Sequence, residues 1–226
     1  MVEFQNLGEV SLAHYGVLFL DELPEFNKNT LEVLRLPLED GIVSISRVQA
    51  SLSYPCKFML IASMNPCPCG YYGSYDKECA CSPQAIAKYM NKISGPLLDR
   101  IDIHIEVTPV KYNKLESSTP SESSQDIKIR VNNARKIQSD RYNGLNIFSN
   151  SELTPKLINK YCKLDSQSKA LMENAFSKLN LSARAYTRIL KVARTIADLD
   201  SSENILSHHI AEAIQYRSLD RKYWGS

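Results

Sequence analysis

Two short apolar runs stand out in the first third of the chain. The run from Gly16 to Leu20 is followed by Asp21 and Glu22, and the run Phe58–Ala62 leads to Asn65. Four or five apolar residues bounded by polar ones are typical of a parallel strand that is buried on both faces. Because ligands bind at the carboxyl ends of such strands, the pattern predicts that the two acids and the asparagine share one functional edge.

A helix and a hairpin are predicted between these runs. Leucines recur at helical spacing over residues 31–38, where Pro37 is expected to kink or shorten the last turn. Two β-rich segments, Ile42–Ser46 and Ala50–Tyr54, then lie on either side of Arg47–Gln49. Alternating β-formers around a short polar connection favour an antiparallel hairpin.

The second half of the chain has a different pattern. A last β-rich segment, Ile101–Val107, precedes a serine-rich stretch at 113–125 that is typical of an exposed linker. After the linker, helical periodicity predicts helices at Asp126–Tyr142, Pro155–Tyr161, Ser166–Leu179, Ala183–Leu199 and Ser207–Arg217. The predicted architecture is α/β, with a partial, mostly parallel sheet core over residues 1–112 and an all-helical domain over 126–226.

Composition narrows the class of protein. A chain of 226 residues with 43% hydrophobic content suits one large domain or two small ones. The 27 basic and 25 acidic residues give a net charge of +2, which neither requires nor excludes a polyanionic partner. The chain has neither a membrane-length apolar stretch nor a basic-then-apolar leader, so we expect a cytoplasmic protein without a membrane partner.

The strand ends carry the candidate chemistry. Neighbouring residues of a strand point to opposite faces, so Asp21 can hold Mg2+ through water while Glu22 orients and deprotonates an attacking water. Asn65 can orient a water beside a γ-phosphate. The structural alternatives are an ordinary Asp-Glu turn and an Asx-turn before Pro66.

Arginines supply a second set of candidates. Arg100 can present a rigid charged fork to phosphate oxygens, or it can pair with Asp99 or Asp102. Four basic residues recur along one face of a predicted helix, opposite its apolar residues: Arg184, Arg188, Lys191 and Arg194. Such a face is by default solvated.

Six cysteines in a cytoplasmic chain favour thiols or metal ligands over disulfides. Cys67 with Cys69 and Cys79 with Cys81 form two C-x-C pairs, separated by a turn-rich segment. Four thiolates can close a tetrahedral Zn2+ site, and four free or oxidised thiols are the alternative. Two further cysteines and the histidines form no ligand cluster by spacing and are expected to be packed or surface residues: Cys56, Cys162, His14, His104, His208 and His209.

A series of longer motifs occurs in order along the chain. It comprises Leu-Asp-Glu-Leu-Pro-Glu-Phe, Pro-Leu-Glu-Asp-Gly, Ile-Ser-Arg, Met-Asn-Pro-Cys-Pro-Cys-Gly, Gly-Pro-Leu-Leu-Asp-Arg-Ile-Asp and Leu-Ser-Ala-Arg-Ala-Tyr. The series resembles the magnesium-chelatase-like AAA+ ATPase family, specifically its ComM (YifB) branch, from about Gly8 to Arg217. The resemblance implies a nucleotide-driven hexameric ring. In the ComM branch the ring is a DNA helicase that promotes branch migration in natural transformation, whereas chelatase relatives drive metal insertion into porphyrin.

The resemblance also implies roles for single residues. Asp21 and Glu22 match the Walker B acids, Asn65 matches sensor 1, Arg100 matches the arginine finger that acts in trans, and Arg184 matches sensor 2, with Arg188 a weaker candidate. The hairpin matches the presensor-1 insertion, whose tip residues Arg47 and Gln49 are the candidates for DNA contact, and a structural β-ribbon is the alternative. The helical domain matches the AAA+ lid.

One expected motif is missing from the chain. An ATPase of this class cradles phosphates with G-x-x-x-x-G-K-[ST], and none of the eight glycines here is followed by lysine. We therefore expect a carboxyl-terminal fragment that neither binds nor hydrolyses ATP, from a parent that uses ATP and Mg2+. The alternatives are a magnesium-chelatase motor subunit and a non-catalytic, zinc-stapled interaction module.

Overall fold

The two apolar runs form a pair of parallel strands. In the computed structural model, which describes residues 8–47, 50–74, 77–108, 121–179 and 181–217, β1 (Val17–Leu20) pairs with β4 (Met59–Ala62). Leu20 lies opposite Ala62, so the residues after each strand meet at one edge. The predicted mixed α/β class with a short parallel sheet and a helical carboxyl-terminal part is confirmed.

The expected burial of both sheet faces is wrong for this chain. Alternate residues on β1 and β4 are about half exposed, with Phe19 at 59% and Met59 at 58%. The residues between them are only partly buried. Burial on both faces requires a layer on each side of the sheet, and the described residues leave one face without such a layer.

A first short helix, α1 (Glu9–Leu12), precedes β1, and the segment after β1 forms two more. Asn27 caps α2 (Lys28–Val33) through a hydrogen bond from the Asn29 backbone N–H at 3.0 Å. The helix is interrupted at Leu34, and α3 (Arg35–Asp40) follows. An interruption is expected here because Pro37 lacks the N–H that would bond to the carbonyl four residues earlier. Gly41 ends α3 with φ of +66°, a left-handed conformation that glycine adopts without strain.

The predicted hairpin is confirmed. β2 (Ile42–Arg47) pairs antiparallel with β3 (Ala50–Pro55), and Ser44 lies opposite Ser53 with their hydroxyl oxygens 3.0 Å apart. Of the two candidate DNA contacts at its tip, Gln49 lies outside the described residues. Arg47 is described only as part of the β2 backbone.

Serine caps begin the two helices that follow β4 and its loop. Ser82 accepts from the Ala85 N–H at the start of α4 (Pro83–Met90), and Ser94 does the same for α5 (Gly95–Leu98). Leu23, Leu31, Ile93 and Leu97 are buried in this amino-terminal unit, which spans Met1–Ile101.

The strand predicted at Ile101–Val107 is wrong. Residues 101–108 have no regular secondary structure, although the His104 N–H donates to the Tyr216 carbonyl at 2.9 Å. β-Rich composition forms a strand only where a partner strand supplies hydrogen bonds and packing. Most of the predicted linker, residues 109–120, lies outside the described residues, so the domain boundary at 113–125 stays a prediction.

The carboxyl-terminal unit, Asp102–Ser226, is helical where it is described. Its helices are α6 (Ser124–Arg141), α7 (Pro155–Tyr161), α8 (Ser166–Leu179), α9 (Ala183–Leu199) and α10 (Ser207–Gln215). The predicted bounds of α7, α8 and α9 are confirmed, whereas α6 begins and α10 ends two residues earlier than predicted. None of the described helices is long and apolar enough to cross a membrane.

A buried polar network crosses the core of this unit. The Asp198 carboxylate accepts from Arg141 Nη1 at 2.9 Å, from Asn150 Nδ2 at 2.8 Å and from Arg194 Nε at 3.1 Å. Arg194 also donates to the Ser202 carbonyl at 2.6 Å and is only 2% exposed. The expectation that Arg194 lies on a solvated face is therefore wrong, because a carboxylate one helical turn away and nearby carbonyls satisfy its guanidinium inside the core.

Candidate functional site

The ends of β1 and β4 are joined by a serine that no sequence motif marks as functional. The Ser63 hydroxyl donates to the Asp21 carboxylate. Backbone bonds fix the same junction, from Ser63 N to the Leu20 carbonyl at 3.0 Å and from Leu23 N to the Ser63 carbonyl at 2.9 Å. The contact follows from the pairing of the two strands. Because Leu20 lies opposite Ala62, the residues that follow them, Asp21 and Ser63, are neighbours.

The second acid of the pair has an unusual backbone conformation. Glu22 has a φ of 50°, in the left-handed region that residues with a Cβ seldom occupy. Its N–H lies 3.1 Å from Asp21 Oδ1 and 3.3 Å from Ser63 Oγ. Because both acids are exposed and the turn is held by Ser63, the arrangement presents two carboxylates to solvent at the sheet edge where α/β proteins bind ligands.

Asn65 follows Ser63 on the same edge and is also exposed. Burial raises the pKa of the Tyr89 phenol, and a hydrogen bond from the Asn65 backbone N–H opposes that rise. Tyr89 lies on α4, so the backbone of Asn65 is tied to the helix that follows the cysteine-rich loop. The sheet edge therefore gathers Asp21, Glu22 and Asn65, and oxygen donors of this kind suit water-mediated binding of Mg2+.

Arg100 pairs with an acid that its sequence neighbourhood does not suggest. Its guanidinium pairs with Glu39, and Nη1 donates to the Pro96 carbonyl at 2.6 Å. The residue is 9% exposed. Glu39 and the Pro96 carbonyl therefore engage the two terminal nitrogens of the Arg100 guanidinium. Contact of this group with a phosphate requires the release of Glu39.

Apart from the buried Arg194, the basic residues of the α9 face lie in three different environments. Arg184 is exposed near the start of the helix. Ser182 caps the helix there by accepting a hydrogen bond from the Ala185 N–H at 3.1 Å. Arg188 pairs with the exposed Asp102. Lys191 donates from Nζ to the Ser151 carbonyl at 2.7 Å, and burial lowers the pKa of Lys191. Only the start of the helix resembles the solvated face that its spacing predicts.

The structure brings together the four cysteines of the two C-x-C pairs. Their Sγ atoms all lie within 4.8 Å of one another, and the Tyr72 N–H donates to the Cys67 Sγ at 3.3 Å. A hydrogen bond from the Tyr71 backbone lowers the pKa of Cys69 to about 6. The Cys81 backbone N–H lowers the pKa of Cys79, but desolvation and the neighbouring thiols outweigh it and raise that pKa to about 12. Cys56 and Cys162 are buried, as expected for packed thiols.

Two histidines form a cluster that their spacing did not predict. Nε2 of His208 and of His209 lie 3.5 Å and 3.2 Å from Asp200 Oδ2, and together they lower the pKa of that carboxyl, His209 the more strongly. The other ring nitrogen of His209 accepts from the Leu206 N–H at 3.0 Å. Nδ1 of His209 therefore caps α10 and Nε2 contacts Asp200, so both ring nitrogens are engaged, which favours a structural role over metal binding.

Comparison with known proteins identifies the family. Residues 3–115 match the family described as magnesium chelatase, subunit ChlI, and residues 121–217 match its carboxyl-terminal family, magnesium chelatase, subunit ChlI C-terminal. The chain belongs to the magnesium chelatase ChlI family, whose members are of the AAA+ ATPase type.

Individual relatives fit the ComM branch. The chain is 46% identical over 217 residues to the uncharacterized protein YifB of Escherichia coli K12, and 45% identical over 216 residues to the competence protein ComM of Haemophilus influenzae. It is 34% identical over 210 residues to an uncharacterized protein of Mycobacterium tuberculosis H37Rv. The first two matches cover 95% of this chain and the third covers 93%, yet each covers only 41% of the relative. The predicted resemblance is confirmed.

Proposed function

We propose that this chain is the carboxyl-terminal part of an ATP-driven AAA+ motor, and that Asp21 and Glu22 are its hydrolytic acids. The observation that carries the proposal is the junction at the strand ends, where Ser63 bonds to Asp21 and Glu22 occupies a strained turn. The exposed Asp21 carboxylate would hold Mg2+ through water, and the ion would supply positive charge beside the phosphates of ATP.

Each residue then has a separate task in hydrolysis. Glu22 accepts a proton from the attacking water as the water oxygen bonds to the γ-phosphorus and the bond to the ADP oxygen breaks. That proton leaves Glu22 for solvent or for the phosphate product. The Asn65 side chain orients the same water, while Ser63 holds the Asp21 carboxylate in one orientation.

Arginines complete the proposed site. Arg100 acts in trans on the nucleotide of the neighbouring subunit, after exchanging Glu39 for phosphate oxygens. Arg184 grips the γ-phosphate as sensor 2 and couples hydrolysis to movement of the helical lid, and Arg188 is the weaker candidate for that task. This chain contains no G-x-x-x-x-G-K-[ST], so we propose that it does not bind or hydrolyse ATP by itself and that the phosphate loop belongs to the full-length protein.

We further propose that the motor is a cytoplasmic, hexameric DNA helicase that promotes branch migration. The similarity to a protein named for competence supports this proposal, as does the presence of the β2–β3 hairpin, which we assign to the presensor-1 insertion. Arg47 and Gln49 are its candidate DNA contacts. A magnesium-chelatase motor subunit is the second candidate, because the family that the chain matches carries that name. A non-catalytic interaction module stapled by zinc is the third, favoured only by the cysteine cluster.

The deciding experiment measures ATP hydrolysis by the full-length protein with and without branched DNA. We expect DNA to stimulate hydrolysis, and we expect Glu22→Gln to abolish the activity while leaving ATP binding intact. Glu173→Gln, an exposed acid on α8, is the matched control. Hydrolysis that persists in Glu22→Gln contradicts the assigned base. Hydrolysis without any response to DNA favours the chelatase candidate, and the absence of ATP binding favours the interaction module.

A further inference from the structure

We infer that Cys67, Cys69, Cys79 and Cys81 bind one structural Zn2+, which joins the end of β4 to the start of α4. The first support is the distance between the sulfur atoms. Cys67 and Cys69 Sγ are 3.4 Å apart, Cys67 and Cys79 Sγ are 3.7 Å apart, and Cys69 and Cys79 Sγ are 3.6 Å apart. These sulfurs are too far apart for disulfides, whose S–S bond is about 2.05 Å.

The same distances fit a tetrahedron around one ion. With Zn–S bonds of about 2.3 Å, tetrahedral geometry separates each pair of sulfurs by about 3.8 Å. The measured separations lie within a few tenths of an ångström of that value, and the fourth sulfur, of Cys81, lies within 4.8 Å of the others. A [4Fe–4S] cluster is a poorer fit, because each cysteine then binds a different iron atom and the sulfurs stand further apart.

Thiols have little reason to gather in this way without a metal. A neutral S–H group is a weak hydrogen-bond donor, and four thiolates repel one another. A divalent ion removes the repulsion, and a ligand set made only of thiolates selects soft or borderline metals such as zinc over Mg2+ or Ca2+. The N–H of Tyr72, 3.3 Å from the Cys67 Sγ, offsets part of the remaining negative charge.

The loop is shaped for this closure. Gly70 and Gly73 have φ of +81° and +78°, in the left-handed region, so glycine permits the two turns that return the chain from the first C-x-C pair to the second. All four coordination positions are filled by cysteine, which is typical of a structural site rather than a catalytic one.

The position of the site gives the metal its role. Asn65 lies two residues before Cys67, and a Cβ added at Gly70 would lie 3.9 Å from the Asn65 Oδ1. On the other side, Ser82 caps α4 directly after Cys81, and Tyr89 of α4 bonds to the Asn65 backbone. The metal therefore closes a ring of contacts that runs from β4 through the loop to α4 and back to Asn65. Its effect on catalysis through Asn65 rests on the proposed function, whereas metal binding does not.

The test is the metal content of this chain after purification without added metal or chelator. Elemental analysis by inductively coupled plasma mass spectrometry is expected to find close to one zinc per chain. Cys69→Ser and Cys79→Ser are each expected to lose it, and Cys56→Ala, a buried cysteine outside the cluster, is expected to retain it. Replacement of zinc by Co2+ is expected to give the intense visible absorption of a tetrahedral thiolate site.

Several results overturn the inference. They are a folded wild-type chain with little bound metal and no tetrahedral Co2+ spectrum, full zinc retention in both serine variants, and iron in place of zinc. Because serine variants can misfold, Cys79→His supplies a second test: it keeps four ligands and is expected to keep zinc with an altered Co2+ spectrum. None of these readouts depends on ATP hydrolysis, so failure of the metal site and failure of the proposed motor are distinguished.

Discussion

The Ser63 hydroxyl donates a hydrogen bond to the Asp21 carboxylate across the ends of two paired strands. The contact exists because β1 and β4 are parallel and in a register that places Leu20 opposite Ala62. Ser63 also bonds through its backbone to Leu20 and Leu23, so one residue holds both sides of the acidic turn. The orientation of Asp21, the acid proposed to bind Mg2+, is thus determined by a residue that follows β4 and lies 42 residues away in sequence.

Removal of this hydroxyl is expected to weaken catalysis without removing an acid. In the full-length protein, Ser63→Ala should raise the Mg2+ concentration that gives half-maximal ATP hydrolysis and lower kcat about fivefold, since one exposed hydrogen bond contributes about 1 kcal/mol. Magnesium titrations of the hydrolysis rate measure both effects. Ser151→Ala, which removes an exposed hydroxyl bonded to Ser149, is the control. An unchanged magnesium dependence in Ser63→Ala contradicts the positioning role.

The proposed action of Arg100 on the nucleotide of a neighbouring subunit can be tested by mixing variant subunits. Arg100→Ala in the full-length protein is expected to lower ATP hydrolysis by about 10³-fold, the usual contribution of an arginine finger. Mixing Arg100→Ala subunits with Glu22→Gln subunits should restore part of the activity, because the intact finger of one subunit then meets the intact acid of another. A mixture no more active than its components measured separately indicates that Arg100 acts only within its own subunit.

The buried Asp198 network is expected to dominate the stability of the helical unit. Asp198→Ala leaves Arg141 and Arg194 without their shared carboxylate in the core, a change that costs about 3 kcal/mol or more. Urea unfolding followed by the circular dichroism of the helices measures the loss. Asp140→Ala, on the exposed face of α6, is the matched control and should change stability little. Equal stabilities of the two variants contradict the assigned importance of the network.

Acid stability of α8 is expected to depend on Asp165. Its carboxylate accepts from the Ser168 N–H at 2.7 Å, and this bond lowers the pKa of Asp165. A lowered folded-state pKa contributes stability above the unfolded pKa, and that contribution is lost as the pH falls through the folded value. Asp165→Asn should therefore flatten the dependence of the melting temperature on pH as the pH falls below about 3.9, the usual pKa of an aspartate in an unfolded chain. A carboxyl titration by NMR that places Asp165 at or above about 3.9 contradicts the prediction.

Removal of zinc is expected to expose the cysteine-rich loop to proteolysis. Lys77 is exposed and lies between the two C-x-C pairs, so trypsin should cut after it faster once a chelator has removed the metal. Mass spectrometry of the fragments over time measures the change, and cleavage after Lys169, exposed on α8, serves as the internal reference. A chelator that leaves the rate at Lys77 unchanged argues against a metal that closes the loop.

Local patterns in the sequence determined most of the elements of this fold. The bounds of α7, α8 and α9 follow from apolar spacing and flanking polar residues, and the β2–β3 hairpin follows from its β-rich segments. The order of the motifs was sufficient to identify the family. Helical periodicity, capping and turn formation are all encoded within a few residues, which is why they can be read from one chain.

The partner of each polar side chain was decided only by the tertiary structure. Arg194 and Arg184 share a predicted solvated face, yet Arg194 is buried against Asp198. Arg100 pairs with Glu39, 61 residues away, and Ser63 carries no motif that marks it as the partner of Asp21. The segment at 101–108 remains outside any sheet, although its composition favours a strand. Ion pairs and strand pairing depend on which segments the fold brings together, and side-chain spacing within one segment does not contain that information.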